Sequence, residues 1–130
     1  MKNIFFSTSK YLFYFSFIFL LILYLFPGSL IGYILYGDLG QQPDFISNPI
    51  GTSINHLIFF FYLGILGLIF RKNQKKLINS FSFLFLISII LELLHYFIPN
   101  RAFELNDLYA NSSGVLLAYL IFKLFNKTRN

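Results

Sequence analysis

The chain contains no cysteine and no tryptophan. The first absence excludes disulfides, a thiolate nucleophile and thiolate metal ligands. The second leaves tyrosine, present nine times, as the interfacial anchor of a membrane segment. Charge is scarce too. Asp, Glu, Lys and Arg make up 12% of the residues, against roughly 25% in a soluble domain. Such a chain cannot cover itself with polar surface.

What fills the chain instead is apolar: 57% hydrophobic and 22% aromatic residues, with a mean hydropathy of +0.69. The 130 residues fit one domain spanning 1–130. Four apolar runs are expected to cross a bilayer. The first runs from Tyr11 to Phe26, or on to Tyr36 if the helix continues through Pro27-Gly28. The others are Ile54–Phe70, Leu77–Ile98 and Leu108–Phe125. Runs of 16 to 22 residues cover about 24–33 Å as helices, close to the thickness of the hydrocarbon layer. None alternates like a barrel strand, so the expected class is an all-α membrane protein with four transmembrane helices. The outer loop contains the short apolar piece Leu30–Tyr36, too short to span and expected to extend the first span or lie at the interface as a short helix.

Basic residues gather at the span ends: Lys2 and Lys10, then Arg71, Lys72, Lys75 and Lys76, then Lys123, Lys127 and Arg129. Basic loops stay on the cytoplasmic side. The 71–76 loop is therefore expected inside, and counting spans outward places both termini inside as well. The loops 27–53 and 99–107 then face outward, with every acidic residue except Glu92. The net charge of +5 has no basic helix face or stacking platform beside it, so nucleic acid is not an expected partner. The first run resembles a signal peptide but lacks an A-x-A site and exceeds the usual apolar length, so it is read as a retained span. Asn111-Ser112-Ser113 and Asn126-Lys127-Thr128 match a glycosylation pattern at span or tail positions and are read as chance. Tyr109 and Tyr119 are read as packing or lipid-facing residues.

Against this background, Glu92 to Gly114 reads ELLHYFIPNRAFELNDLYANSSG. Charge that close to a bilayer core usually persists for a partner or a function. Glu92 and His95 are three apart and share a helix face; Asp107 and Asn111 are four apart, and Gly114 continues their face. Asp107 is the natural N-cap of the fourth span, at the positive end of its dipole. Pro99 closes the third span, which places Glu92 roughly 10 Å inside its end, with Arg101 as its expected counter-ion. His56 opens the second span from the same side. Gly64 and Gly67, and Gly114 with Ala118, offer small faces for close helix approach.

The string Glu92-x-x-His95-x-x-x-Pro99-x-Arg101-x-x-Glu104-x-x-Asp107-x-x-x-Asn111-x-x-Gly114 resembles the signature of the VanZ-like membrane protein family. His56, Phe60 and Leu63 resemble that family's second-span pattern. The resemblance covers spans two to four. It departs from the family at Thr52 and Ser53, where Asp-Lys is usual, and at His95, where glutamine is usual. It implies a bacterial inner-membrane envelope protein and, through the member that names the family, a contribution to teicoplanin-like glycopeptide resistance.

The plain reading of His56, Glu92, His95, Arg101, Glu104, Asp107, Asn111 and Gly114 is a structural polar network locking spans three and four. A sharper one is an outward-facing pocket for a lipid head group or a lipid-linked, cell-wall-related ligand, gripped by Arg101. An intramembrane enzyme using Glu92 and His95 as acid and base is the alternative, although no nucleophile of familiar type accompanies them. His56, Glu92, His95 and Asp107 are metal-ligand types. The glutamine usual at position 95 argues for hydrogen bonding instead, so no metal and no cofactor are expected. Membrane lipids are the expected partners.

Overall fold

The computed structural model describes residues 2–43, 51–71 and 77–127. The basic stretch 72–76, Arg129 and the middle of the outer loop, 44–50, lie outside the described residues. Among those described there are helices and no strand: α1 (Lys2–Leu25), α2 (Leu30–Tyr36), α3 (Gly51–Arg71), α4 (Leu77–Leu94) and α5 (Leu105–Lys127).

Two helices are long and apolar enough to cross a bilayer, over Ile4–Leu25 and Leu105–Lys127. The apolar segments Ser53–Ile69 and Ser80–Leu94 are shorter and reach only about 23–25 Å against roughly 30 Å of hydrocarbon. Large apolar side chains face outward on every helix, among them Phe15, Ile34, Ile58, Leu86 and Leu124. Small polar ones point inward: Ser9, Ser16, Ser80 and Ser88 are buried. Apolar outside and small polar inside is the arrangement of helices packed in lipid, where hydroxyls bond locally or across helices. Ser9 Oγ donates to Phe5 O (2.9 Å), and Ser16 Oγ shares a proton with Tyr62 Oη of α3 (3.0 Å).

The helix ends differ from the sequence expectation in instructive ways. The first helix does not continue to Tyr36. Pro27 disfavours helical geometry at Phe26, and Gly28 turns the chain at φ +90°. Ser29 then caps α2 by accepting Gly32 N–H (2.9 Å), and Gly37 ends it in the left-handed region at φ +72°. Helix α4 stops at Leu94 rather than Ile98 because it tightens into i→i−3 bonds: His95 N–H to Glu92 O, Tyr96 N–H to Leu93 O, and Phe97 N–H to Leu94 O. Pro99 does not end the helix but starts a turn. Ile98–Arg101 closes through Arg101 N–H to Ile98 O (3.3 Å), with Asn100 at φ 59°, the positions a type II turn assigns to Pro and Asn.

Helices α3 and α5 form the closest pair. A Cβ on Gly114 would stand 2.5 Å from Leu57 O and 2.9 Å from Phe61 N, and one on Gly64 would stand 2.7 Å from Ala118 Cβ. Only glycine lets these backbones meet. Helix α1 packs on α3, while α4 packs on both α5 and α3. Phe13, Leu20, Phe60, Leu63, Leu84, Leu91 and Val115 form the core. The finishing ends of α1 and α4 and the starting ends of α3 and α5 share one end of the bundle, and the polar residues gather there.

Candidate functional site

Glu92 is fully buried at the last turn of α4, two residues before the helix end and so less deep than the sequence expectation. Its Oε1 accepts from Glu104 N–H (3.2 Å) and meets His95 Nδ1 (3.2 Å). Its Oε2 accepts from Asn111 Nδ2 (3.4 Å). One carboxylate thus ties the end of α4 to the start and second turn of α5. A buried carboxylate is tolerated when hydrogen-bonded in this way.

Asn111 is also fully buried. With its amide N–H directed at Glu92, its carbonyl faces Tyr24, whose Oη donates to Asn111 Oδ1 at 2.8 Å. The opposite amide orientation would set a carbonyl against the Glu92 carboxylate, so Glu92 selects the rotamer. Tyr24 has then spent its only proton, and its 2.5 Å contact with His56 Nδ1 requires the imidazole to donate. That assigns the proton of His56 to Nδ1, which also lies 3.2 Å from Asn111 Oδ1. The other ring nitrogen, Nε2, faces Asp107 Oδ2 at 3.5 Å.

Asp107 is not the N-cap of α5. The helix starts at Leu105, and Glu104 O accepts the first helical bond, from Leu108 N–H at 3.0 Å. Asp107 lies in the first turn, still favoured by the dipole, but its carboxylate turns inward and accepts from Ser53 Oγ (2.6 Å). His56 falls in the second turn of α3 rather than the first, because that helix starts at Gly51.

Arg101 is not the counter-ion of Glu92. Its Nη2 donates to Leu23 O (2.5 Å) and its Nε to Phe26 O (3.4 Å). It caps the last carbonyls of α1, where a cation also meets the negative end of the dipole. Burial lowers its pKa, yet a guanidinium remains charged. The Glu104 side chain is exposed and contributes its backbone N–H, not its carboxylate, to the cluster. Partial burial and then the charges of Asp107 and Glu92 raise its pKa. Gly114 contributes space.

Two participants carry no sequence signal. Tyr24 stacks on His95 (centroids 5.2 Å, planes 19° apart) and meets His56 edge-on (5.4 Å, 71°); in the sequence it is one of nine tyrosines. Ser53 enters the cluster only through its bond to Asp107. Among the described residues His95 Nε2 has no hydrogen-bond partner, and His95 is buried.

A cavity of about 120 Å³ opens beside the cluster, between the end of α1, α2 and the start of α3. Tyr24, His56, Asn55 and Arg101 provide its polar end, and Leu20, Leu30, Ile31 and Phe59 its apolar wall. A second cavity of about 360 Å³ lies between α3 and α5, beside Ser53, Asn106 and Tyr109. Glu92 and His95 line neither.

No curated protein and no solved structure matches the chain. The family model VanZ/LLP1 matches residues 4–126, which takes in α2, the whole polar cluster and all but the last residue of the two long apolar helices. The chain is a VanZ-like membrane protein and belongs to the VanZ/LLP1 family.

Proposed function

We propose that this is a multi-pass protein of the bacterial cytoplasmic membrane, with both termini inside, whose outward cavity takes the anionic head group of a lipid or lipid-linked cell-wall precursor. The observation that carries this reading is the cavity itself, where Arg101, Tyr24 and His56 meet an apolar wall. At about 120 Å³ it is several times the roughly 30 Å³ share of one water, room for a phosphate or carboxylate but not for a whole amphiphile. The tail would lie along α2, whose Tyr33, Ile34, Leu35 and Tyr36 are all more than half exposed and suit the interfacial layer. Arg101 uses two N–H groups on α1 of the five a guanidinium carries. Acid–base chemistry by Glu92 and His95 is less well supported, because neither lines either of the two cavities described. Through such a ligand the protein would contribute to teicoplanin-like glycopeptide resistance, as the resemblance to the VanZ-like family implies.

Native mass spectrometry of the purified protein with equal phosphatidic acid and phosphatidylcholine tests the head-group reading. The wild type should retain the anionic lipid preferentially. Arg101→Gln should lose at least about tenfold of that preference, the scale of one charge-assisted bond. Unchanged preference in a folded Arg101→Gln protein rejects the reading. For orientation, the absence of cysteine gives a clean background. A single cysteine at Lys76 should resist an impermeant thiol reagent in intact cells, and one at Gln42 should react. The reverse pattern overturns the topology.

A further inference from the structure

We propose that His56, Glu92 and Asp107 form a binding site for one divalent first-row cation of the Zn²⁺ or Mn²⁺ kind. The proposal is independent of the head-group reading, which rests on Arg101 and the cavity between α1, α2 and α3. One ligand atom from each residue lies within 4.8 Å of the others, and the three come from α3, α4 and α5.

The hydrogen bonding gives the first reason. Tyr24 donates to Asn111, so His56 must donate from Nδ1 to Tyr24. In a neutral ring Nε2 is then a lone pair, and it faces an Asp107 oxygen, also a lone pair, at 3.5 Å. Without something positive between them that contact is repulsive. Two nitrogen or oxygen donors on a tetrahedral ion at about 2.0–2.2 Å stand about 3.4 Å apart, close to the spacing seen.

Charge gives the second reason. Glu92 is 0% and Asp107 5% exposed. Among the described residues neither carboxylate makes an ion pair with lysine or arginine, and their ion-pair partners are histidines. Arg101 donates instead to carbonyls at the end of α1. Buried carboxylates are paired or coordinate a cation. The Nδ1–H bond to Tyr24 is the outer-shell contact that fixes a ligating histidine and raises its basicity. One imidazole with two carboxylates suits Zn²⁺ or Mn²⁺ better than a thiolate-seeking ion. His95, the position where the family usually carries glutamine in the resemblance, is not in this set.

Protein purified without chelator should contain close to one equivalent of metal. After chelator treatment, Co²⁺ should restore one equivalent, with the intense visible absorption of a four- or five-coordinate site, and raise the melting temperature. His56→Gln and Asp107→Asn should each weaken Co²⁺ binding at least about tenfold, while Asp38→Asn, at an exposed carboxylate whose partner is Gly40 N–H, leaves it unchanged. If those two variants do not fold, the wild-type titration alone decides. A wild-type chain without stoichiometric, chelator-removable Co²⁺ overturns the proposal, as does binding equally strong in folded His56→Gln.

Discussion

Glu92→Ala is expected to cost about 3–5 kcal/mol of stability, the scale for removing one member of a buried charged group. The loss is large because three partners are stranded at once. Glu104 N–H, Asn111 Nδ2 and His95 Nδ1 all meet this carboxylate, and Asn111 and His95 are buried. Asn111 would also lose the contact that sets its amide orientation, so Tyr24 and His56 would lose theirs in turn. Glu92→Gln keeps one acceptor oxygen and should cost distinctly less. Unfolding of the purified protein in mixed micelles measures both. Because Arg101 bonds to α1 rather than to Glu92, the Glu92→Ala/Arg101→Ala double variant should not regain stability over Glu92→Ala. Recovery in the double variant would restore the ion pair that the geometry removes. A Glu92→Ala loss below about 1 kcal/mol, no more than one ordinary hydrogen bond, would mean that water reaches the cluster.

Gly114→Ala carries the second large effect. The new methyl would lie 2.5 Å from Leu57 O, 2.9 Å from Phe61 N and 3.1 Å from Phe60 Cβ. Two of those atoms belong to the α3 backbone, which cannot rotate away as a flexible side chain can. The two helices must separate, at about 1–3 kcal/mol for overpacking of this kind. Gly114→Leu should not fold. Separation would also move Asp107 and Asn111 on α5 away from Ser53 and His56 on α3, so Gly114→Ala should weaken Co²⁺ binding although no ligand is changed. Gly37→Ala is the contrast. Its φ of +72° makes a side chain strained there, but nothing lies within 4 Å, so it should cost only about 1 kcal/mol and leave the cluster intact. Equal effects from the two substitutions would argue against close α3–α5 contact.

The polar string was legible because charge in an apolar chain is conspicuous and helical spacing says which residues share a face. His56, Glu92, Asp107 and Asn111 do meet, and the small residues Gly64, Gly114 and Ala118 do mark the α3–α5 contact. Charge complementarity in the sequence pairs Arg101 with a carboxylate, whereas its acceptors are the backbone carbonyls of Leu23 and Phe26. Every residue carries a carbonyl, so no side chain advertises that partner. Tyr24 was missed for a related reason: it lies on α1, far in sequence from the string, among many similar aromatics. The ends of α4 and α5 moved by a few residues because i→i−3 tightening and a Pro99-Asn100 turn compete with apolar periodicity, which says nothing about where backbone bonds are exchanged.

Composition alone determined that this chain belongs in a membrane, since 12% charge cannot solvate its surface, and residue spacing alone marked the VanZ/LLP1 pattern. Only the tertiary structure decided who binds whom. The proton on His56 follows from Tyr24 and Asn111, and the freedom of the two carboxylates from Arg101 follows from the end of α1. Hydrogen-bond direction and charge balance depend on distances between segments that sequence order keeps apart.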